Sequence, residues 1–399
     1  MVKPWDVAII GDFLDFKNGL NKGKEFFGYG TPIVNYTDVY KKRGLKRADI
    51  RGQVCLTPDE IHRFDVRKND VFFTRTSETP DEVGMSSVLL EDVKNGVFSG
   101  FVLRGRPKND MFVPEYCKYC FSTEAVRNAI ITGCTYTTRA LTNGKQLSAI
   151  EIPVPPRPEQ EAIATALSDI DALISNLEKL IAKKKAIKQG AMQELLTGKR
   201  RLSGFDGEWI TVTVGEICNT SSGGTPSRQN EKYYSGNIPW FTTSELTDTW
   251  LTDSLEHITN DAIDNSAAKI FATNTILLAM YGATIGKLGI LKIPAASNQA
   301  CCALMCKKDD FLFLFYKLMS MRQELISLGC GAGQPNISQE IVKGLSINLP
   351  ESIDEQKAIS EILSHMDEEI TSMICQLKKY QGIRDGMMSE LLTGRIRLI

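Results

Sequence analysis

Residues 159–202 read EQEAIATALSDIDALISNLEKLIAKKKAIKQGAMQELLTGKRRL, and residues 355–398 read EQKAISEILSHMDEEITSMICQLKKYQGIRDGMMSELLTGRIRL. The two segments align without a gap at an offset of 196 residues and share the run ELLTG. Shared composition does not produce a match of this length, so the chain contains an internal duplication.

A globular stretch precedes each repeated segment. Trp5 corresponds to Trp209 at an offset of 204, and TPIVNYTDV at 31–39 resembles IPWFTTSEL at 238–246. The sequence therefore predicts a fourfold division along the chain. Its parts are a first globular module (1–152), a central helix (153–203), a second globular module (204–349) and a C-terminal helix (350–399).

Both repeated segments carry apolar residues at the alternating four-three spacing of a coiled-coil seam. The seam positions are Ile163, Leu167, Ile170, Ile174, Leu177 and Ile181, and then Ile359, Leu363, Met366, Ile370, Met373 and Leu377. Gly198 and Gly394 stand where a left-handed C-cap would end each helix. Gly190 and Gly386 lie inside the helices, where close approach of another backbone or simple tolerance on an exposed turn could explain them.

The globular modules show mixed patterns. Strand-like runs at 71–73, 97–103, 275–279 and 288–292 alternate with helix-like runs at 115–131 and 310–328. Gly, Asn, Thr and Ser separate these runs, so we expect an α+β fold with long loops. Loops on a rigid scaffold are where a binding module carries its variable contacts.

Composition excludes several classes of protein. Hydrophobic residues make up 42% and charged residues 24%, which is typical of a globular chain, and ten cysteines are too few for a disulfide scaffold. The start MVKPWDVAII lacks the pattern of a secretory signal, and glycines interrupt the most apolar stretch, 275–296. We therefore expect a cytoplasmic protein without a membrane segment.

Catalytic and metal-binding patterns are weak. Asp81, Asp92 and Lys94 mimic the two-carboxylate-plus-lysine arrangement of metal-dependent nucleases, but the second half of the chain has no counterpart. Cys117 and Cys120 form half of a zinc site, and no second pair stands at ligand spacing. We expect packing roles for these cysteines and no bound metal, and we keep the nuclease as an alternative from a different functional class.

Positive charge is concentrated in the first long helix. Residues 178–201 contain eight Lys and Arg against two Glu. Such a run is consistent with a solvated helix face, with the phosphate backbone of a duplex or with an acidic partner surface.

Short motifs precede each long helix and recur in the second module. I-P-V-P at 152–155 and I-N-L-P at 347–350 each precede a helix that runs from E-Q to E-L-L-T-G. The second module adds the motifs GGTPSRQNEKYYSGNIPW, YGATIGKLGI, SNQA and GQPNIS. Taken together, these motifs resemble the DNA specificity subunit of type I restriction-modification enzymes, and the resemblance covers the whole chain.

The resemblance implies a non-catalytic role. Each module would be a target recognition domain that reads one half of a bipartite double-stranded DNA target, with the two helices paired antiparallel as a spacer. Two methyltransferase subunits, which would carry S-adenosylmethionine, would dock on this scaffold, and motor-nuclease subunits would join them. A type II system, in which a similar subunit serves a fused methyltransferase-nuclease, remains open.

Candidate DNA contacts follow from side-chain chemistry and from the sequence motifs that resemble the family. Arg pairs with guanine and Asn or Gln with adenine in the major groove, while hydroxyls and Lys hold phosphates. The first-module candidates are Asn35, Thr74, Arg75, Thr76, Thr138 and Arg139. The second-module candidates are Thr225, Ser227, Arg228, Lys287, Gln334, Asn336 and Ser338. Tyr281 stands where many relatives carry arginine, and the first module lacks the GGTPS and GATIGK phrases.

Overall fold

A computed structural model describes residues 4–329 and 336–398. The chain forms two compact units. Unit 1 comprises Met1–Glu178 with Cys375–Ile399, and unit 2 comprises Lys179–Ile374. Each unit therefore contains one module, the first part of the helix that follows this module, and the last part of the helix from the other repeat.

The first module contains thirteen short strands and six short helices in its described residues. The strands are β1 (Asp6–Ile9), β2 (Leu14–Asn18), β3 (Phe27–Val34), β4 (Gly44–Leu45), β5 (Gln53–Val54), β6 (Val71–Thr74), β7 (Thr76–Ser77), β8 (Ser86–Leu89), β9 (Val97–Phe98), β10 (Val102–Pro107), β11 (Thr135–Tyr136), β12 (Ala140–Leu141) and β13 (Glu151–Val154). The helices are α1 (Ile10–Phe13), α2 (Tyr36–Lys41), α3 (Pro58–Arg63), α4 (Pro114–Cys117), α5 (Glu124–Gly133) and α6 (Gly144–Ser148). The long helix α7 (Arg157–Leu195) follows.

The second module repeats this plan. Its strands are β14 (Trp209–Thr213), β15 (Cys218–Ser222), β16 (Ile238–Phe241), β17 (Thr249–Leu251), β18 (Glu256–Ile258), β19 (Ile270–Phe271), β20 (Ile276–Ala279), β21 (Leu288–Leu291), β22 (Ala295–Ser297), β23 (Cys301–Cys306) and β24 (Ser346–Pro350). Its helices are α8 (Val214–Ile217), α9 (Asn260–Asp264), α10 (Phe311–Ser320), α11 (Arg322–Leu328) and α12 (Gln339–Lys343). The long helix α13 (Ile353–Leu391) follows.

A five-stranded sheet is the centre of each module. The strand order is β2-β10-β6-β8-β4 in the first module and β15-β23-β20-β21-β17 in the second. The edge strands β4 and β17 run parallel to their neighbours, and the other pairs are antiparallel. Every residue of β6 and β20 is buried, as expected for central strands covered on both faces. The matching sheets confirm the α+β class and the duplication.

Three sequence expectations for elements were too coarse, and one of them is the run 310–328, which divides into α10 and α11. The run 97–103 is not one strand, because the Val102 N–H donates to Ser99 O (3.0 Å) and this turn separates β9 from β10. The run 115–131 is not one helix, because the Thr123 hydroxyl accepts from the Val126 N–H and starts α5 as a separate helix. Apolar periodicity does not resolve such internal caps.

The long helices end as the glycines predict. Gly198 and Gly394 both have φ of +71°, the left-handed conformation of a C-cap, which confirms the expectation. A Cβ at Gly190 or Gly386 would meet nothing within 4 Å. Close approach of a neighbouring backbone among the described residues therefore does not explain these two glycines, and each lies on an open turn.

The helix segments pair within each unit. Two ion pairs join them in unit 2, Lys184–Glu369 and Lys188–Asp367, both at 2.6 Å, and Arg201, which follows α7, pairs with Glu355 on α13 at 2.7 Å. Because residue numbers rise along one segment as they fall along the other, the segments run antiparallel. With Arg200, which pairs with Glu194, four cations of the basic run 178–201 have partners inside the protein.

The seam residues divide between two environments. Those at the start of each helix, Ile163 with Leu167 and Ile359 with Leu363, lie in the cores of the first and second modules. The remaining seam positions are buried or half-buried along the helices. Each module core also includes leucines from the other repeat, namely Leu391 and Leu392 in the first module and Leu195 and Leu196 in the second. The seam is therefore part of the module cores as well as of the helix pair.

No helix among the described residues combines the length and the apolar character that crossing a membrane requires.

Candidate nucleic-acid interface

Four of the first-module candidates meet at one place. β7 pairs with β12, with Thr76 opposite Leu141, and the Thr142 N–H donates to Arg75 O (3.0 Å). The turn between β11 and β12 carries Thr138 and Arg139, which are both exposed. We call Arg75, Thr76, Thr138 and Arg139 the first edge.

Arg75 is half-buried at the first edge. Its Nη1 donates to Gly100 O (3.3 Å), whereas its Nε is buried without a hydrogen-bond partner in the described part of the chain. Two aromatic residues lie on the segments that form this site, since the Arg75 N–H donates to Phe101 O and Tyr136 lies in β11. Phe101 is 57% and Tyr136 is 56% exposed. Sequence reasoning missed both residues, because their burial depends on how the loops fold.

Thr74 has a structural role instead. It is fully buried, its hydroxyl donates to Glu82 O (3.1 Å), and it accepts from the Met85 N–H (2.9 Å), so we remove it from the candidate contacts. Asn35 is half-buried at the start of α2, and its Nδ2 donates to Ile33 O (3.4 Å). Asn35 lies outside the first edge and stays a prediction from the sequence.

The second module builds a corresponding edge. Tyr281 follows β20 and forms a β-bridge with Asn336, as Thr76 pairs with Leu141 in the first module. The Ile337 N–H donates to Met280 O (2.9 Å), and Ser338 begins α12 by accepting from the Ile341 N–H (3.2 Å). Tyr281 and Asn336 are exposed. Gln334 lies outside the described residues.

Thr225 extends this surface. Its hydroxyl donates to Gln299 Oε1, and the next residue, Ala300, accepts at its carbonyl from the Met280 N–H (2.9 Å). We call Thr225, Tyr281, Asn336 and Ser338 the second edge. Ser227 is exposed on the same loop as Thr225, and Lys287 is half-buried after the turn that follows Tyr281.

Arg228 is held by its own module. Its guanidinium donates to both carboxylate oxygens of Glu256 (2.6 and 2.8 Å). It also lies over the rings of Tyr234 and Trp240, at 4.2 and 5.1 Å from their centroids. The Arg228 side chain is still 53% exposed, so it stays a candidate DNA contact on the loop beside the second edge.

The nuclease pattern does not assemble. Asp81 lies before the start of β8, near the end of β6, where the Gly84 N–H donates to Thr74 O. Asp92 lies after the end of β8, near the start of β6, and accepts from the Lys68 N–H (3.3 Å). The strand therefore separates the two carboxylates, which a shared metal ion would require side by side. Among the described residues, no group of three or more His, Cys, Asp or Glu could hold a metal ion.

The paired cysteines lie in the core. Cys117 and Cys120 are both buried in the first module among aromatic and aliphatic side chains. Burial raises the pKa of the Cys120 thiol well above its usual value. The cysteines pack, as the sequence predicted.

Matching tyrosines attach each module to its helix. The Tyr119 hydroxyl donates to Asp171 on α7, and the Tyr316 hydroxyl donates to Asp367 on α13, both at 2.9 Å. Burial and the neighbouring carboxylate raise the pKa of Tyr316, so it stays a hydrogen-bond donor. Lys188 joins the second contact at 2.6 Å from Asp367. The first and second edges therefore belong to modules that contact their long helices through equivalent tyrosine–aspartate hydrogen bonds.

Comparisons with known proteins agree with this plan. The family model described as "Type I restriction modification DNA specificity domain" matches residues 2–189 and 206–379. The type I restriction enzyme MjaVIII specificity subunit of Methanocaldococcus jannaschii is 26% identical over 99% of this chain and 93% of its own length. The crystal structure of a type I restriction-modification S subunit from M. genitalium superimposes with a TM-score of 0.63 at 18% identity, covering 97% of this chain and 96% of that chain. The HsdS subunit of Thermoanaerobacter tengcongensis gives a TM-score of 0.51 at 15% identity, with 99% and 98% covered.

Proposed function

The chain belongs to the type I restriction-modification DNA specificity family, and from this membership we propose that it is the non-catalytic DNA-recognition subunit of a type I system. One observation carries the proposal. Two modules of the same fold each present an edge of polar side chains at equivalent positions, as the pairing of Thr76 with Leu141 and of Tyr281 with Asn336 defines. Two similar readers on one chain suit a bipartite target.

The proposed contacts lie on and beside these two edges. In the first module they are Arg75, Thr76, Thr138 and Arg139, with Phe101 and Tyr136 beside them. In the second module they are Thr225, Asn336 and Ser338 of the second edge, with Ser227 and Lys287 on neighbouring loops. Asn35, Arg228 and Gln334 stay predictions from the sequence. Arg and Asn supply base readout in the major groove, and the hydroxyls and Lys287 hold phosphates.

The helices have two proposed roles. They set the spacing between the half-sites, and they dock two methyltransferase subunits, which bring S-adenosylmethionine and act on DNA beside each half-site. Motor-nuclease subunits join this assembly in the cytoplasm. The related curated proteins are specificity subunits by name, which supports the recognition role and the multisubunit context.

Reconstitution tests the proposal. The purified chain alone should transfer no methyl group from labelled S-adenosylmethionine to DNA, and it should direct methylation once its methyltransferase subunit is added. Sequencing the methylated DNA should then report a split motif. Replacement of residues 1–152 by another module of the family should change one half of this motif only. A change in both halves together would show that the modules are not independent readers.

The nuclease alternative has its own test. An Asp81→Ala, Asp92→Ala double variant should direct methylation as the wild type does, and the pure chain should not cut DNA with Mg²⁺. Metal-dependent cleavage that the double variant loses would establish the nuclease instead. A type II system would differ in its partner, because a single fused methyltransferase-nuclease would co-purify with the chain.

A further inference from the structure

The two modules share a fold but differ in charge. Residues 1–152 contain 22 Lys and Arg against 19 Asp and Glu, a net charge of +3, whereas residues 204–349 contain 10 against 14, a net charge of −4. Nonspecific affinity for DNA comes from cations that neutralise phosphates. Two modules that read DNA in the same way would therefore contribute unequally to this affinity.

The largest local difference lies at one edge of the central sheet. Residues 41–47 read KKRGLKR, with five cations in seven positions, and we call them the basic segment. β4 places Leu45 opposite Leu89, and β17 places Leu251 opposite Leu291, so these edge strands are equivalent. The corresponding residues 247–253 read TDTWLTD, with two aspartates and no cation.

The second module pairs an arginine with a carboxylate, whereas the equivalent arginine of the first module forms no ion pair with the described residues and is attracted by Asp81 at longer range. Arg322 on α11 donates to Asp248 Oδ1 (2.5 Å) and to Gly286 O (3.0 Å). Arg127 on α5 occupies the equivalent place, and it donates only to backbone carbonyls in its described contacts, at Val83 O (2.8 Å) and Asp81 O (2.7 Å). Where the second module has Asp248, the first module has the basic segment.

The cations of the basic segment are accessible. Lys41, Lys42, Lys46 and Arg47 are exposed. Lys42 pairs with Asp49, an exposed ion pair of the kind that contributes little to stability, and Lys41 and Lys46 form no ion pair with the described residues. Lys41 and Lys46 are therefore available to a polyanion without loss of an ion pair, whereas Arg47 donates to Ile50 O (3.0 Å) and half-buried Arg43 lies 3.9 Å from Asp171.

The basic segment begins beside the first edge. The Tyr40 hydroxyl donates to Glu82 Oε1 (2.8 Å), and the other oxygen of Glu82 accepts from the hydroxyl of Ser77 (3.1 Å). Ser77 follows Thr76 in β7, so a short chain of contacts joins the basic segment to the first edge. The seven residues of the basic segment span at most about 25 Å. This length matches a run of several consecutive phosphates on one DNA strand, which rise by ~3.4 Å each.

We propose that the basic segment binds the phosphate backbone of duplex DNA next to the half-site that the first module reads. The first module then supplies more of the salt-dependent affinity than the second. This inference rests on the proposed function, since it assumes that the first edge faces DNA. According to this inference, the two modules contribute unequally to the affinity for the same duplex.

The salt dependence of binding tests the inference. The full chain and a Lys41→Gln, Lys46→Gln variant are titrated into a 30-base-pair duplex of mixed sequence, followed by fluorescence anisotropy, from 50 to 200 mM KCl. Each lost phosphate contact should make the log–log slope shallower by about 0.9, so the double variant should lose about 1.8. Over this fourfold salt range, its affinity should fall about 12-fold less than that of the wild type.

Matched variants in the second module complete the test. Lys292 and Lys308 are exposed at the end of the second module away from its edge, so Lys292→Gln, Lys308→Gln should keep the wild-type slope. Thr249→Lys, Thr252→Lys should make the slope steeper, because it places cations where the first module has Arg43 and Lys46. Circular dichroism should show unchanged folding for all of these surface variants.

The contrary outcomes are distinct. Duplex binding with equal slopes for the wild type and the Lys41→Gln, Lys46→Gln variant would overturn this inference and leave the proposed function intact. Equal slopes combined with loss of methyltransferase subunits from the variant at low salt would assign the basic segment to an acidic protein partner instead. A wild-type chain that does not bind the duplex at 50 mM KCl would overturn both proposals.

Discussion

Arg201 and Glu355 form a bidentate ion pair in unit 2, with Nε–Oε1 at 2.7 Å and Nη2–Oε2 at 2.8 Å. Their counterparts at the repeat offset, Arg397 and Glu159, form the same pair in unit 1, at 2.6 and 2.7 Å. Each pair takes its arginine from one repeat and its glutamate from the other. The carboxylates are almost completely buried, with side-chain exposures of 1% and 6%.

Removing Arg201 should destabilise unit 2. An Arg201→Gln change leaves the carboxylate of Glu355 buried without its cation, which should lower the free energy of unfolding by about 3 kcal/mol. Urea unfolding followed by tryptophan fluorescence measures the effect. The neighbouring Arg200 pairs with Glu194 on the surface, so Arg200→Gln should change stability by less than about 0.5 kcal/mol. Equal effects of the two changes would contradict a special role for the buried pair.

The stability of unit 1 should depend on acid through Glu159. Burial alone would raise the pKa of Glu159, but the ion pair with Arg397 and the hydrogen bond from Trp5 hold it below the usual 4.5. A carboxyl group whose pKa is lower in the folded state stabilises the fold above its unfolded pKa and loses this effect as pH falls. Glu159→Gln should therefore be less stable than wild type at pH 7, and the difference should shrink below about pH 4.5 in thermal unfolding. A difference that stays constant from pH 7 to pH 3 would refute this prediction.

Gly190 and Gly386 should tolerate alanine. Both lie on open turns of long helices, so Gly190→Ala and Gly386→Ala should each raise the free energy of unfolding by up to about 1 kcal/mol. Thermal unfolding of each single variant checks this. Methylation by the reconstituted complex gives a second measurement, because a more stable variant that loses methylation would show that a docked subunit needs the glycine. Lower stability would mean that the turns are not open.

Asn336→Ala should alter one half of the DNA target. If Asn336 reads adenine from the second edge, its loss should remove about 1–3 kcal/mol of discrimination at one base position. Sequencing of methylated DNA should then show a relaxed position in one half-site. The other half-site serves as the internal control, and relaxation there would indicate a general loss of binding.

The spacing between half-sites should follow helix length. Because α7 and α13 pair antiparallel within each unit, a seven-residue insertion has to be made in both helices, after Glu178 and after Ile374. Seven residues add about 10 Å at ~1.5 Å each, or about three base pairs at ~3.4 Å. The methylated motif should keep its two halves with a gap longer by about three base pairs. As a control, four residues inserted into the exposed loop at Gly204 should leave the gap unchanged. If the seven-residue insertions also left the gap unchanged, the helices would not set the spacing and would serve only to dock partner subunits.

The local features of the fold could be predicted from the sequence. The seam spacing and the repeated glycines mark the long helices, and Gly198 and Gly394 adopt the left-handed φ that their positions predict. The sequence did not predict which segments form each unit. The repeat pattern divides the chain into consecutive segments, whereas each module core includes leucines from the other repeat. Heptad spacing shows that a helix face is buried, and it does not identify the segment that covers the face.

The sequence offered candidate residues by side-chain type and position, but it did not show their arrangement. Arg75, Thr76, Thr138 and Arg139 lie together because distant strands pair, and nothing in their residue types indicates this pairing. Thr74 has the same chemistry but lies in a central strand, where its hydroxyl satisfies backbone groups. Side-chain type predicts what a residue can bind, whereas tertiary contacts decide whether its polar atoms are available.

Unit 1 is built from segments that are far apart in the sequence, which affects how the protein folds during synthesis. Synthesis proceeds from the amino terminus, so the first module leaves the ribosome long before residues 375–398. These residues complete its core with Leu391 and Leu392, and they pair Arg397 with Glu159. The part translated first is therefore finished last. A nonsense codon after residue 374 would leave every residue of unit 2 in place, and it would remove part of the core of the first module.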